Sequence, residues 1–441
     1  MRCREAALRG LRVAGILVAA VVLPCCSGDL GDGDQFRIIT LRASETASGV
    51  QATGPSSGGS FSEDGRFFAF QSGAPNLTDN DANGVIDILV KDRLTGQIEN
   101  ITNVDVAGTP LVMGDCSEPS LSADGRYVGF ISKGIYKDIG FVGTPAVVLR
   151  PWRYDRELKK FAAVWYWQGS PDYYLDNHCI GLSLSDNGRY MVFSTQSFII
   201  GTTNPNNATQ VYFVDFGPTG DTPDFTLVSH SAASLTQGSN NGGVTRPGGV
   251  FMSGDGEFVV FDSAATDLVP ALDNNADQDV YVWRRSTGVI TLVSIPKPGK
   301  GYSAYPAISR DGTRVAYTAV DISLYPGVPY YCEMVTLGTG VRQTLSDLVL
   351  GGTIGQVALS RDGTRVVFPS GAFGMPQHEI WIEGSGFQRL TRSTSGRTTK
   401  VGTDSPAISG DGRWASWAGA ATMFVPNDTN GLSDVFIRGP Y

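Results

Sequence analysis

The sequence predicts an all-β protein, a seven-bladed β-propeller with four antiparallel strands per blade, in which an N-terminal strand completes the last blade. Three observations predict this fold. One hairpin motif occurs seven times, two further apolar strands follow each of the first six copies, and an early segment of the chain matches the strand that the last copy lacks. The composition agrees, because 55 Gly and 23 Pro among 441 residues are typical of many short strands joined by turns.

The repeated motif is Ser, any residue, Asp-Gly or Asn-Gly, a polar residue, and then an apolar strand that ends in an aromatic residue. The seven copies begin at Ser62, Ser122, Ser185, Ser253, Ser309, Ser360 and Ser409. Asp-Gly or Asn-Gly between apolar runs predicts a tight hairpin, because both residues tolerate positive φ. Two strands follow, as at residues 87–92 and 97–102. Four strands at a period of about 40–60 residues are typical of propeller blades.

The two ends of the chain provide the closing strand. The seventh repeat stops after its third strand, at residues 434–438, close to the C-terminal Tyr441. Residues 36–44 resemble the fourth strands at 225–229 and 289–294. We therefore predict that residues 36–441 form one propeller, sealed by its first strand so that no sheet edge is left free.

The N-terminus has the pattern of a secretion signal over residues 1–26, followed by a flexible linker over 27–35. An apolar core at residues 13–23 follows a basic start made by Arg2, Arg4, Arg9 and Arg12. The cysteines after this core resemble the lipobox of bacterial lipoproteins, which implies lipidation of Cys25 or Cys26. Ordinary cleavage is the alternative. Either route predicts an exported protein that is periplasmic, anchored to the outer membrane or extracellular.

Charge limits the possible partners. The formal net charge is −9, and loss of the basic signal leaves a still more acidic chain. An acidic surface binds nucleic acid and anionic membranes poorly, so we expect no nucleic-acid partner and membrane contact only through a lipid anchor. We expect a monomer.

Two cysteines occupy equivalent positions in neighbouring repeats. Cys116 and Cys179 precede Ser122 and Ser185 by the same number of residues. In an oxidising compartment they could form a disulfide, or they could be two buried free thiols.

One loop carries oxygen donors at a recurring spacing. Asp79, Asp81, Asn83 and Asp87 alternate with other residues before a predicted strand, and related loops lie at 273–279 and 428–434. Hard cations such as Ca²⁺ collect ligands from short loops of this kind. The alternative is an ordinary solvated turn, in which Asp, Asn and Gly are also common.

The second repeat is rich in aromatic residues. Tyr173, Tyr174 and His178 lie in a predicted loop, where aromatic rings can stack on sugars or contact a partner protein. We predict them as candidate binding residues, with a purely structural role as the alternative.

The repeats resemble the WD-like propeller repeat of the TolB family of periplasmic and secreted bacterial proteins. The resemblance rests on the Ser-x-Asp-Gly-Arg motif, on third strands such as residues 279–282 and on fourth strands such as residues 389–391. It implies a protein- or glycan-binding module at the cell envelope. The alternative is a glycan-active enzyme, a glycosidase or lyase, with two carboxylates about 5–10 Å apart in the central funnel.

Overall fold

The computed structural model describes residues 38–441, with gaps at 80, 82, 104, 107–108, 111–112, 133–148, 165–178, 197–200, 205, 219–222, 243–248, 296–300, 322–328, 346–348, 351–354, 371–376 and 394–402. The predicted signal and linker, including Cys25 and Cys26, lie outside the described residues. In the described part of the chain, no helix is long and apolar enough to cross a membrane.

Seven four-stranded antiparallel sheets form the blades, as the sequence predicted. From the inner strand outward, blade 1 contains Ser56–Phe61, Phe67–Ser72, Asp87–Asp92 and Ile98–Asn100. Blade 2 contains Cys116–Leu121, Tyr127–Ser132, Arg150–Asp155 and Lys160–Ala163. Blade 3 contains Cys179–Leu184, Tyr190–Thr195, Gln210–Asp215 and Asp224–Leu227. Blade 4 contains Val250–Met252, Phe258–Ser263, Asp279–Arg284 and Val289–Leu292.

The other three blades repeat this order. Blade 5 contains Ser303–Ile308, Arg314–Val320, Pro329–Thr336 and Arg342–Thr344, and Val349–Leu350 also pairs with its third strand. Blade 6 contains Ala358–Leu359, Arg365–Ser370, Gln377–Ile382 and Gly386–Arg389. Blade 7 contains Thr403–Ile408, Ala415–Gly419, Asp434–Gly439 and Ile39–Arg42. Two short hairpins, Asp105–Val106 with Thr109–Pro110 and His230–Ser231 with Ser234–Gly238, lie between blades.

The outer strand of blade 7 comes from the N-terminal end of the described chain, which confirms the predicted closure. Leu41 pairs with Ile437, and the Ala43 amide donates to the Val435 carbonyl at 2.7 Å. Lys91 of blade 1 ties this strand to the next blade by donating to the Ala43 carbonyl at 3.0 Å. Burial lowers the pKa of Lys91 to about 8.

Each blade packs on its neighbour through the Asp-Gly turn. In blade 2, Gly125 has a φ of 73°, and a Cβ there would lie 2.5 Å from the Phe67 ring of blade 1. Arg156 covers the same ring at 4.6 Å from its centroid and donates to the Gly125 carbonyl at 2.7 Å. The glycine therefore serves both the turn and the contact between blades.

A ring of main-chain hydrogen bonds links the seven motifs around the axis. The donors and acceptors belong mostly to the variable residue between Ser and Asp. The bonds run from the amide of one motif to the carbonyl of another: Glu63 to Ala123, Ala123 to Asp186, Asp186 to Gly254, Gly254 to Arg310, Asp311 to Arg361, Arg361 to Gly410 and Asp411 to Glu63. The last bond closes the circle.

The disk has two different faces. The Asp-Gly turns lie on one, here called the turn face. Because the strands alternate in direction, the loops between second and third strands and the connections between blades lie on the other, here called the loop face.

Candidate functional site: the axial channel

The inner strands surround a cavity of about 360 Å³ on the propeller axis. Blades 1 to 3 contribute Ser60, Ser120 and Ser183, here called the serine wall, together with Phe61 and Leu182. Blades 4 to 6 contribute Phe251, Ile308 and Leu359, here called the apolar wall, together with Arg310 and Gln356. The serine oxygens fix neighbouring blades, since Ser60 and Ser120 each accept a main-chain N–H of the next blade at 3.0 Å.

Bulges in the inner strands shape the loop-face end of this cavity. At equivalent bulge positions, φ is 56° at Glu118, 54° at Tyr305 and 51° at Ser405. Residues other than glycine rarely adopt these φ values, and those that do concentrate at functional sites. The Glu118 amide donates to Gln71 Oε1 of blade 1 at 3.2 Å, and both residues line the cavity. The bulges therefore bring polar groups to the channel.

Four charged side chains cross the axis at the turn face: Glu63, Asp186, Arg310 and Arg361. Arg361 Nη2 donates to Glu63 Oε2 at 2.9 Å and to Asp186 Oδ2 at 2.8 Å. Arg310 Nε lies 3.1 Å from Asp186 Oδ1 and its guanidinium donates to main-chain carbonyls of blades 2 and 3. Hydrogen bonding to Glu63 raises the pKa of Arg361. We call this cluster the axial plug.

Glycines in two other motifs make room for the plug. A Cβ on Gly410 would overlap the Glu63 carboxylate, and one on Gly254 would overlap that of Asp186. All six residues occupy the variable position of Ser-x-Asp-Gly. These residues were not predicted, although this motif position combines two acids, two arginines and two glycines.

The axial plug affects the prediction of two catalytic carboxylates in the central funnel. Glu63 and Asp186 approach each other at the axis, since both contact Arg361 Nη2. The guanidinium lies between them, so these oxygens are engaged in ion pairs rather than exposed to a substrate.

In the predicted calcium loop of blade 1, the structure brings Asp81, Asn83 and Asp87 together, while Asp79 is exposed. Burial and the neighbouring Asp87 raise the pKa of Asp81. Asp87 is buried and accepts hydrogen bonds from Asn83 at 3.0 Å and Thr102 at 2.6 Å. Asn83 thus turns its amide nitrogen, not its oxygen, toward the carboxylate. Calcium binding here stays a prediction.

The other predicted candidates are three loop residues and a pair of cysteines. Tyr173, Tyr174 and His178 lie outside the described residues. Cys116 and Cys179 are free and buried, like Cys332, which agrees with the free-thiol alternative. In the ranges that the structure describes, no three His, Cys, Asp or Glu side chains converge as a ready-made metal site.

Several known structures are similar to this chain. An oligogalacturonate lyase from Vibrio parahaemolyticus has a TM-score of 0.54 at 11% identity, over 92% of this chain and 94% of that chain. One of two prolyl endopeptidases has a TM-score of 0.52 at 11% identity, over 91% of this chain and 52% of that chain. TolB from Acinetobacter baumannii has a TM-score of 0.41 at 12% identity, over 76% of this chain and 62% of that chain.

The TM-scores of the lyase and the endopeptidase, 0.54 and 0.52, show a shared fold, and identities of 11% show nothing finer. No family model matches the chain. No curated protein matches it.

Proposed function

We propose that the protein is an exported binding propeller of the cell envelope, which takes a protein or glycan ligand at the loop-face end of the axial channel. The observation that carries this proposal is the cavity of about 360 Å³, which combines a serine wall with an apolar wall. Its size lies in the range of ligand sites, which are mostly apolar with a few placed polar groups.

The axial plug supports entry from the loop face. Arg361 bridges the carboxylates of Glu63 and Asp186, in blades 1 and 3, across the axis at the turn face. Arg310 forms a further ion pair with Asp186. A ligand that reaches the serine wall from that side would have to break these ion pairs. From the loop face it meets the bulges, which expose Glu118 and Gln71 to the cavity.

Export is part of the same proposal and rests on the basic and apolar pattern of residues 1–26. We propose a periplasmic, membrane-anchored or extracellular location and a monomeric state. The alternative of a glycan-active enzyme rests on the shared fold alone, because the carboxylates that meet at the axis are bound by arginine.

The test uses one variant inside the channel and one outside it. Ser117 lines the cavity, so Ser117→Trp should fill it, whereas Leu94 is 77% exposed on a turn-face loop and Leu94→Trp is the matched control. The purified proteins are probed on a glycan array and against envelope extract. We expect ligands that bind the wild type and Leu94→Trp but not Ser117→Trp. Equal binding by both variants would place the ligand elsewhere, and no binding by the wild type would reject the proposal.

A further inference from the structure

Three blades share a loop pattern before the third strand: Asp, Asn two residues later, and Asp four residues after that. The copies are Asp81, Asn83 and Asp87 in blade 1, Asp273, Asn275 and Asp279 in blade 4, and Asp428, Asn430 and Asp434 in blade 7. The last Asp begins the third strand in each blade. Its Oδ1 always accepts a hydroxyl from the end of the outer strand, supplied by Thr102, Ser294 or Ser44.

The second carboxylate oxygen, Oδ2, accepts a hydrogen bond from the loop asparagine in blades 1 and 7, from Asn83 at 3.0 Å and from Asn430 at 2.9 Å. The outer-strand residue beside this oxygen differs from blade to blade. In blade 1, Asn100 donates to Asp87 Oδ2 at 3.0 Å. In blade 7 the equivalent outer-strand residue is Arg42, whose Nη1 lies 3.6 Å from Asp428 Oδ1 and 3.9 Å from Asp434 Oδ2. A buried guanidinium therefore lies against this carboxylate pair.

Blade 4 has neither an amide nor a cation at that position. Leu292 pairs with Tyr281 as Arg42 pairs with Phe436, so leucine occupies the place of the arginine. Asp279 is 1% exposed, and its Oδ2 has no hydrogen-bond partner in the described chain.

The neighbouring carboxylates add to the uncompensated charge. Asp273 is also buried, and its Oδ2 accepts only a neutral donor, the Tyr281 hydroxyl, at 2.8 Å. Among the residues that the structure describes, no lysine, arginine or histidine forms an ion pair with Asp273, Asp277 or Asp279. Buried carboxylates without a counter-charge are costly, and proteins pair them or give them to a metal.

We propose that the blade-4 loop, residues 273–279, binds a hard divalent cation, Ca²⁺, that neutralises Asp273 and Asp279 as Arg42 neutralises Asp428 and Asp434 in blade 7. The side chains do not converge on one point, so the ion is held by the two buried carboxylates together with main-chain oxygens of the loop. Oxygen ligands from one short loop are the coordination that Ca²⁺ accepts and Mg²⁺ resists. This site is independent of ligand binding in the axial channel.

The decisive experiment compares two ways of neutralising the buried carboxylate pair of blade 4, by Ca²⁺ and by an introduced arginine. Protein stripped with a chelator is titrated with Ca²⁺ by calorimetry and melted with and without the ion. The wild type should bind the ion and melt at a higher temperature with it. Asp273→Asn should lose the heat of binding and the rise in melting temperature. Asp81→Asn, the matched change in blade 1, should keep both.

Leu292→Arg distinguishes the specific loss of a cation site from a general loss of order in the loop. It places a guanidinium where blade 7 has Arg42, so we expect it to abolish Ca²⁺ binding and to raise the melting temperature of the metal-free protein. The proposal is overturned if the wild type binds no Ca²⁺, if Leu292→Arg binds it as well as the wild type, or if only Asp81→Asn loses it. Circular dichroism is used to check that each variant is folded.

Discussion

The Asp-Gly turn of blade 2 gives a sharp test of how the blades pack. Gly125 has a φ of 73°, and a Cβ would stand 2.5 Å from a carbon of the Phe67 ring. The ring cannot withdraw freely, because Arg156 covers it at 4.6 Å from the centroid. Gly125→Ala should therefore add a steric penalty to the backbone strain.

A matched glycine separates the penalty of backbone strain from the steric penalty. An L-residue at positive φ costs about 1–2 kcal/mol, and overpacking costs about 1–3 kcal/mol more. Gly125→Ala should thus lower the free energy of unfolding by about 2–5 kcal/mol. Gly288 has a φ of 67° and nothing within 4 Å of a built Cβ. Gly288→Ala should lose only the strain, about 1–2 kcal/mol.

Urea unfolding, followed by tryptophan fluorescence, measures both losses against the wild type. Equal losses in Gly125→Ala and Gly288→Ala would refute the packing of the turn on the neighbouring ring. A loss in Gly125→Ala that exceeds the control supports it.

Three further predictions follow from buried or bridging groups. Burial lowers the pKa of His378 to about 3, against ~6.5 when unfolded, so between these values acid protonates only the unfolded chain. The free energy of unfolding then falls as pH drops, by about 2 kcal/mol from this group between pH 7 and pH 5. His378→Gln should therefore show a shallower pH dependence in urea unfolding. A pH profile identical to that of the wild type would contradict this prediction. Burial raises the pKa of Cys116 and Cys179 to about 12, so mass spectrometry should find both unalkylated by iodoacetamide at pH 8 unless denaturant is added. Arg361→Ala removes the plug guanidinium and should destabilise the protein by about 1 kcal/mol after solvent screening. The loss should exceed that of Arg66→Ala, which removes an exposed ion pair with Asp92. Equal melting temperatures for the two variants would argue against the plug.

The hairpins and the ring closure were predictable because both follow from the repeat pattern along the chain. Asp-Gly turns, strand alternation and a missing final strand are all readable along the chain. The structure confirms them, down to the pairing of Leu41 with Ile437.

The axial plug was not predictable in the same way. Glu63 and Arg361 are 298 residues apart in sequence, and only the closed ring places the variable position of every motif at the axis. The blade-1 loop shows a second limit. Counting oxygen donors could not reveal that Asn83 presents its nitrogen to Asp87. Nor could it show that Leu292 leaves the Oδ2 atom of Asp279 without a donor.

Ring closure by the N-terminal strand is the claim on which the axial channel, the plug and the comparison of blades depend. Hydrogen exchange read by mass spectrometry tests it most directly, by comparing Ile39–Arg42 with its partner Asp434–Gly439. We expect the amides that bond the two strands to exchange at one slow rate and to become unprotected together as urea rises. Exchange of 39–42 at the rate of a free peptide, beside a protected 434–439, would contradict the closed seven-bladed ring.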